Sequence, residues 1–197
     1  MKLILTFIAA VLVSTMASAA PITFVYTGTL STETTLNGVD VGNQSFVFTA
    51  TADNSNVFVR SSDILELLHD TATIWINGGA ALTVLTATRT FSNTGIDIVA
   101  LASPATFDIF GDFDVVDYDF TTDVAQITSP TAQFFNVFDQ VLDTSGGSLI
   151  ITQAGSAPGT FQATIGVAAI PLPPTLLLSL AALGLLSVAS RSTRQGG

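Results

Sequence analysis

The chain has 197 residues, 48% of them hydrophobic, no cysteine, and a formal net charge of −10. Between residues 20 and 169 fifteen carboxylates face two full cations, Arg60 and Arg89, a net charge of −13. No basic stripe exists to neutralise phosphates, so nucleic acid is excluded as a partner, and with no disulfide available this stretch must hold together by its core or by bound ions.

In chain order, the first feature is MKLILTFIAAVLVSTMASAAPITF, with Lys2 as a short positive segment, an apolar stretch over 3–13, and small residues at Ala17 and Ala19. This pattern predicts a secretory signal peptide that signal peptidase cuts after Ala19, leaving Ala20 as the first residue. The apolar stretch is well short of the ~20 residues needed to span a bilayer.

From 20 to 169 the composition turns to Thr, Val, Ile, Phe, Ser, Asp and Gly, which suit a pleated surface and its turns. Strands are expected at 22–30, 44–52, 56–60, 72–77, 81–91, 95–102, 106–110, 132–138, 147–153 and 160–167. Asn37-Gly38, Asp53-Asn54-Ser55, Asn77-Gly78-Gly79, Asn93-Thr94-Gly95 and Ser145-Gly146-Gly147 punctuate them with residues that tolerate positive φ or bond their own backbone. The expected fold is an all-β, jelly-roll-like antiparallel β-sandwich. Alternation in SFVFTAT puts Phe46, Phe48 and Ala50 on the buried side. Trp75 is read as core or partly buried packing area, with an exposed ligand platform as the other possibility.

SSDILELLHD (61–70) breaks the pattern. Ile64, Leu65, Leu67 and Leu68 recur at helical spacing behind Asp63 and Glu66, so a short helix is expected here, ending at the single histidine, His69. A cationic side chain suits a helix C-terminus, and with no Gly-x-Ser-x-Gly elbow and no second histidine for zinc, His69 is assigned no catalytic role.

DIFGDFDVVDYDFTTD carries the densest acid in the chain. Asp108, Asp112, Asp114, Asp117 and Asp119 are candidate ligands for calcium, which takes six to eight hard oxygens. The spacing is not that of an EF-hand, because Gly111 precedes the tight acidic pair. Asp112 and Asp114 share one strand face while Asp117 and Asp119 have the opposite parity, so a bulge or turn near Val115 and Val116 is required to gather all four. The competing reading is a solvated acidic strand, and paired carboxylates also raise glycoside hydrolysis.

The chain closes on IPLPPTLLLSLAALGLLSVASRSTRQGG. Pro171, Pro173 and Pro174 cannot lie inside a helix, but Pro174 suits its first position. The uncharged residues 174–190 predict a marginal transmembrane helix of about 25 Å. Arg191 and Arg194 follow it, so the positive-inside bias places the C-terminus in the cytoplasm and the β-rich part outside.

This order of signal peptide, exported body, Ile170-Pro171-Leu172-Pro173-Pro174 motif, short apolar helix and terminal Arg191 and Arg194 resembles the PEP-CTERM class of bacterial exported proteins, in its VPLPA-type variant. The resemblance covers about the last 28 residues. It implies a sorting signal read by an exosortase, a multi-pass membrane protease that cuts near the proline motif after an inner-membrane-anchored intermediate. The expected protein is non-enzymatic, without a required cofactor, and destined for the cell surface or extracellular matrix, with extracellular polysaccharide as a candidate partner. The alternative is a secreted calcium-dependent carbohydrate-binding module or hydrolase carrying the same tail.

Overall fold

The computed structural model describes residues 20–103, 108–134, 140–152 and 155–167. The predicted signal peptide with Ala17 and Ala19, and the sorting tail from Ile170 to Arg194, lie outside the described residues. The strands are β1 Pro21–Thr29, β2 Thr35–Leu36, β3 Val39–Asp40, β4 Ser45–Asp53, β5 Phe58–Val59, β6 Ile64–Leu68, β7 Thr71–Ile76 and β8 Leu82–Thr83. They continue with β9 Arg89–Asn93, β10 Ile98–Ala102, β11 Asp108–Asp114, β12 Val124–Phe134, β13 Gln140–Thr144, β14 Gly147–Ile151 and β15 Gly155–Ile165. The fold is all-β, with one 3-10 turn at Asn54–Asn56.

Eleven strands form one antiparallel sheet in the order β5-β6-β9-β10-β11-β12-β15-β1-β4-β7-β8, and β13-β14-β2-β3 form a second. The large sheet curls on itself. β9 and β1 are five positions apart, which at ~4.8 Å per strand would separate them by about 24 Å in a flat sheet. Yet the Tyr26 hydroxyl of β1 lies 2.9 Å from Thr90 Oγ1 of β9. Beyond β8 the chain passes to the second sheet through the Val84–Thr144 bridge, with Leu85 N donating to Asp143 O at 2.7 Å.

Alternation decides which side chains fill the curl. On β1, Ile22, Phe24 and Tyr26 point inward, and on β4 so do Phe46, Phe48, Ala50 and Ala52, as the sequence pattern requires. Other phenylalanines meet them: Phe110 of β11 crosses Phe46 edge to face at 5.0 Å, and Phe161 of the neighbouring β15, directly opposite Tyr26 in register, lies 5.0 Å from its ring. Each such ring contributes about 1.5–3 kcal/mol by leaving water. Phe110 fits because Gly28 and Gly159 stand beneath it; a Cβ at either would come within 2.7 Å of its ring.

The expected helix over 61–70 is not formed. Residues 64–68 are β6, hydrogen-bonded to β5 on one side and β9 on the other. Alternation sends Leu67 into the core, turns Glu66 to the other face and leaves Leu68 exposed. Two neighbouring strands supply what local spacing cannot reveal, and Asp63 caps nothing helical; its carbonyl accepts from Thr94 N at 2.8 Å. The strand expected over 81–91 divides into β8 and β9, because residues 84–86 leave the first sheet to reach β13. β12 runs much further toward the N-terminus than the expected 132–138, past Pro130, which sits at a register shift between Ser129 and Ala132 where no ladder donor is needed. The Asn37-Gly38 turn has φ of 49° and 78°, positive at both positions, as the tight hairpin between β2 and β3 demands.

Candidate functional site

The acidic stretch is shaped by β11. Val99 pairs with Phe113 but the next residue, Ala100, pairs with Gly111, so Asp112 is an extra residue bulged out of the ladder. The bulge resets the alternation, which lets Phe110 and Phe113 both enter the core with their rings 5.7 Å apart. Gly111 permits the close approach, since any Cβ there would collide with Ala100. Asp112 takes φ of 80°, a left-handed conformation uncommon outside glycine, asparagine and aspartate.

Asp112 and Asp114 line one groove of about 480 Å³ with Ile96, Ile98, Ile127 and Pro130, so the expectation that these two share a face is met. Gln133 Nε2 lies 3.5 Å from Asp112 Oδ2. A turn after Val115, the condition for gathering all four carboxylates, is present and pinned by Asp97, whose carbonyl accepts from Val115 N at 2.8 Å and whose Oδ1 accepts from Asp117 N at 3.2 Å. Asp97 escaped the sequence reading, although Asn93-Thr94-Gly95 signals the turn that presents it. Asp117 and Asp119 do not line the groove. Asp119 instead accepts from the Thr121 hydroxyl at 2.6 Å and from Thr121 N at 3.0 Å; the hydroxyl bond is the main cause that holds its carboxyl below the ordinary range. Asp123 Oδ1 accepts from Ile165 N at 2.6 Å, tying the loop to β15. The Asp108 side chain lies outside the described ones, and among the described residues no three His, Cys, Asp or Glu converge to hold a metal ion.

The positive charge lies elsewhere. Glu66 is buried on β6 and receives Arg60 at 3.0 Å on Oε1 and Arg89 at 2.8 Å on Oε2, so both arginines of this part of the chain go to one carboxylate. Arg89 is itself largely buried, with its Nε unpartnered.

His69 does not end a helix. It follows β6, half-buried against Phe24 and Phe48, with ring centroids 5.5 and 6.1 Å away. Nδ1 lies 2.9 Å from Thr88 Oγ1 and Nε2 lies 2.9 Å from Thr90 Oγ1, which in turn bonds the Tyr26 hydroxyl. Burial pushes the imidazole down to about 3, so it is neutral at ordinary pH, with one nitrogen donating and the other accepting. Thr90 and Tyr26 are fully buried, so no substrate reaches their hydroxyls. The network joins the two walls of the curl. The threonines could not be paired with His69 from sequence, because β9 reaches it only through the sheet.

A third region is the outer face of β15, β1, β4 and β7. Trp75 meets the expectation of core or partial burial by partial burial on this face: Ala72 and Ile74 point inward, and Thr71, Thr73 and Trp75 point out, the tryptophan half-buried opposite Val47. Threonines dominate the rest, with Thr27 and Thr160 hydroxyls 2.7 Å apart and Thr51 and Thr71 hydroxyls 2.7 Å apart. At the start of the fold Ala20 is bound through its amide to Asn54 Oδ1 at 3.3 Å and through its carbonyl to Asn54 N at 3.3 Å. No family model, curated protein or solved structure matches this chain.

Proposed function

We propose that this chain is an exported, non-enzymatic protein of the cell surface or extracellular matrix, with a jelly-roll-like body, delivered by its signal peptide and sorted through its C-terminal tail by an exosortase-type protease. The observation that carries the reading is the tail itself, the proline motif Ile170-Pro171-Leu172-Pro173-Pro174, then an uncharged run, then Arg191 and Arg194. The fold supports it from the other side. β15, a central strand paired with both β1 and β12, ends at Ile165, and Gly166 N donates to Pro21 O at 2.7 Å to close the described ladder. A cut near the proline motif therefore removes no described strand. Pro171 and Pro173 keep the substrate segment extended, the form a protease binds, and the helix starting at Pro174 sets its depth in the membrane.

Mass spectrometry of the protein recovered from its native host tests this. The expected C-terminus lies between about Ala168 and Thr175, and an intact end at Gly197 overturns sorting in favour of a permanent anchor.

A further inference from the structure

We propose that the outer sheet face around Trp75 is a docking surface for a neutral polysaccharide. This deepens the matrix reading above by naming what the protein would hold there and where.

Trp75 borders a shallow depression of about 310 Å³ whose lining is Ser45, Phe46, Val47, Thr49, Trp75 and Gly78, with no titratable side chain. Gly78 follows the positive-φ turn at Asn77, and a Cβ there would meet nothing within 4 Å, so the space beside the tryptophan is open. Away from the ring the outward positions form rows across four strands. Thr164, Thr23, Thr51 and Thr71 lie in one row; Gln162, Val25, Thr49 and Thr73 lie in the next; Thr160, Thr27, Val47 and Trp75 make the third. The strands that carry these rows stand about 4.8 Å apart and each repeats its outward position roughly every 6.7 Å, beside one aromatic plate, while the facing hydroxyls of Thr27 and Thr160 and of Thr51 and Thr71 close to 2.7 Å.

Charge identifies the occupant. The body carries −13, yet these twelve positions hold no charge, and the nearest outward acid on the same strands, Asp53, is bonded to Ser55 through its amide at 2.8 Å and its hydroxyl at 2.7 Å. A polyanion is repelled by the whole protein, and a polycation would collect on the Asp112 and Asp114 groove instead. An uncharged polyhydroxyl chain matches what is left: its C–H faces lie against the electron-rich indole, and its hydroxyls exchange hydrogen bonds with the threonines.

The test is affinity electrophoresis of the full chain in mild detergent through gels containing hydroxyethylcellulose, galactomannan or dextran, with alginate as the anionic comparison. Retardation in at least one neutral gel is expected, weakened at least 10-fold by Trp75→Ala and by Thr49→Glu and unchanged by Asp114→Asn. Thr49→Glu alters only the outer face and carries the test should Trp75→Ala fail to fold. No retardation in any neutral gel, retardation in alginate alone, parental binding by the folded Trp75 and Thr49 variants, or loss of binding in Asp114→Asn would each overturn the proposal. The sorting reading is decided separately by the C-terminal mass, so either can fail without the other.

Discussion

Glu66 and Asp112 stand on the same sheet, three strands apart, and the protein handles their charges in opposite ways. Glu66 is buried and holds both arginines of the described fold; Asp112 and Asp114 line an open groove with no cation near enough to pair. A carboxylate out of water needs a partner, because its lost hydration costs several kcal/mol, whereas a carboxylate on an open surface needs only solvent. With only two cations between residues 20 and 169, the chain places them where burial compels pairing. The acidic stretch is left to be shaped by its backbone.

The sharpest way to break this contrast is Glu66→Ala, which strands Arg89 in a largely buried site where its Nε already lacks a partner. A loss of about 3–5 kcal/mol is expected in urea unfolding. A loss below about 1 kcal/mol would show that the cluster is held by water and not by the pair.

The neutral network of His69 adds a third way of handling a titratable group, and acid exposes it. The folded protein keeps His69 unprotonated down to about pH 3, while the unfolded chain takes up a proton near 6.5. The unfolded state thus binds the extra proton below 6.5, and stability, fully present above that pH, should fall by about 1.4 kcal/mol per unit as pH drops toward 3. Asp119, whose carboxyl is held low, loses its own contribution in the same direction but only at lower pH. His69→Gln should flatten the curve just below pH 6.5, where the unfolded chain's imidazole takes up its proton; an unchanged slope would place the proton uptake elsewhere.

On the acidic side the expected effects are smaller. Asp112→Gly relieves a left-handed residue and removes one like charge, against a larger unfolded-state entropy, and should stabilise by about 0.5 kcal/mol, raising Tm by about 2 °C. Asp114→Asn should change stability by less than about 0.5 kcal/mol, as an exposed surface substitution does. A large loss in either would mean that the groove is part of the framework.

Much of this could be read in the residues. Strand alternation in β4 placed Phe46 and Phe48 inside, and the Asn-Gly turns fell where their backbone freedom predicts. Asp112 and Asp114 were rightly set on one face, although the bulge that shapes it lies at Asp112 itself and not only at the turn after Val115. The misreadings have one physical origin. Ile64, Leu65, Leu67 and Leu68 fit a helix by spacing, but Glu66 is reached by Arg60 six residues earlier and Arg89 twenty-three later, contacts that only strand pairing assembles. Trp75 is partly buried, as expected, but hydrophobicity alone does not say which side of a sheet faces a core.

By itself, then, the sequence determined the all-β class, the turn positions, the acidic balance and the lack of disulfides, since these depend on local backbone preference and composition. Tertiary structure alone decided that β9 lies across the core from β1, that His69 sits neutral between Phe24 and Phe48, and that the threonine rows and Trp75 share one uncharged face. Those outcomes depend on strand order and register, in which a shift by one residue reverses every side chain and a neighbour may come from a hundred residues away.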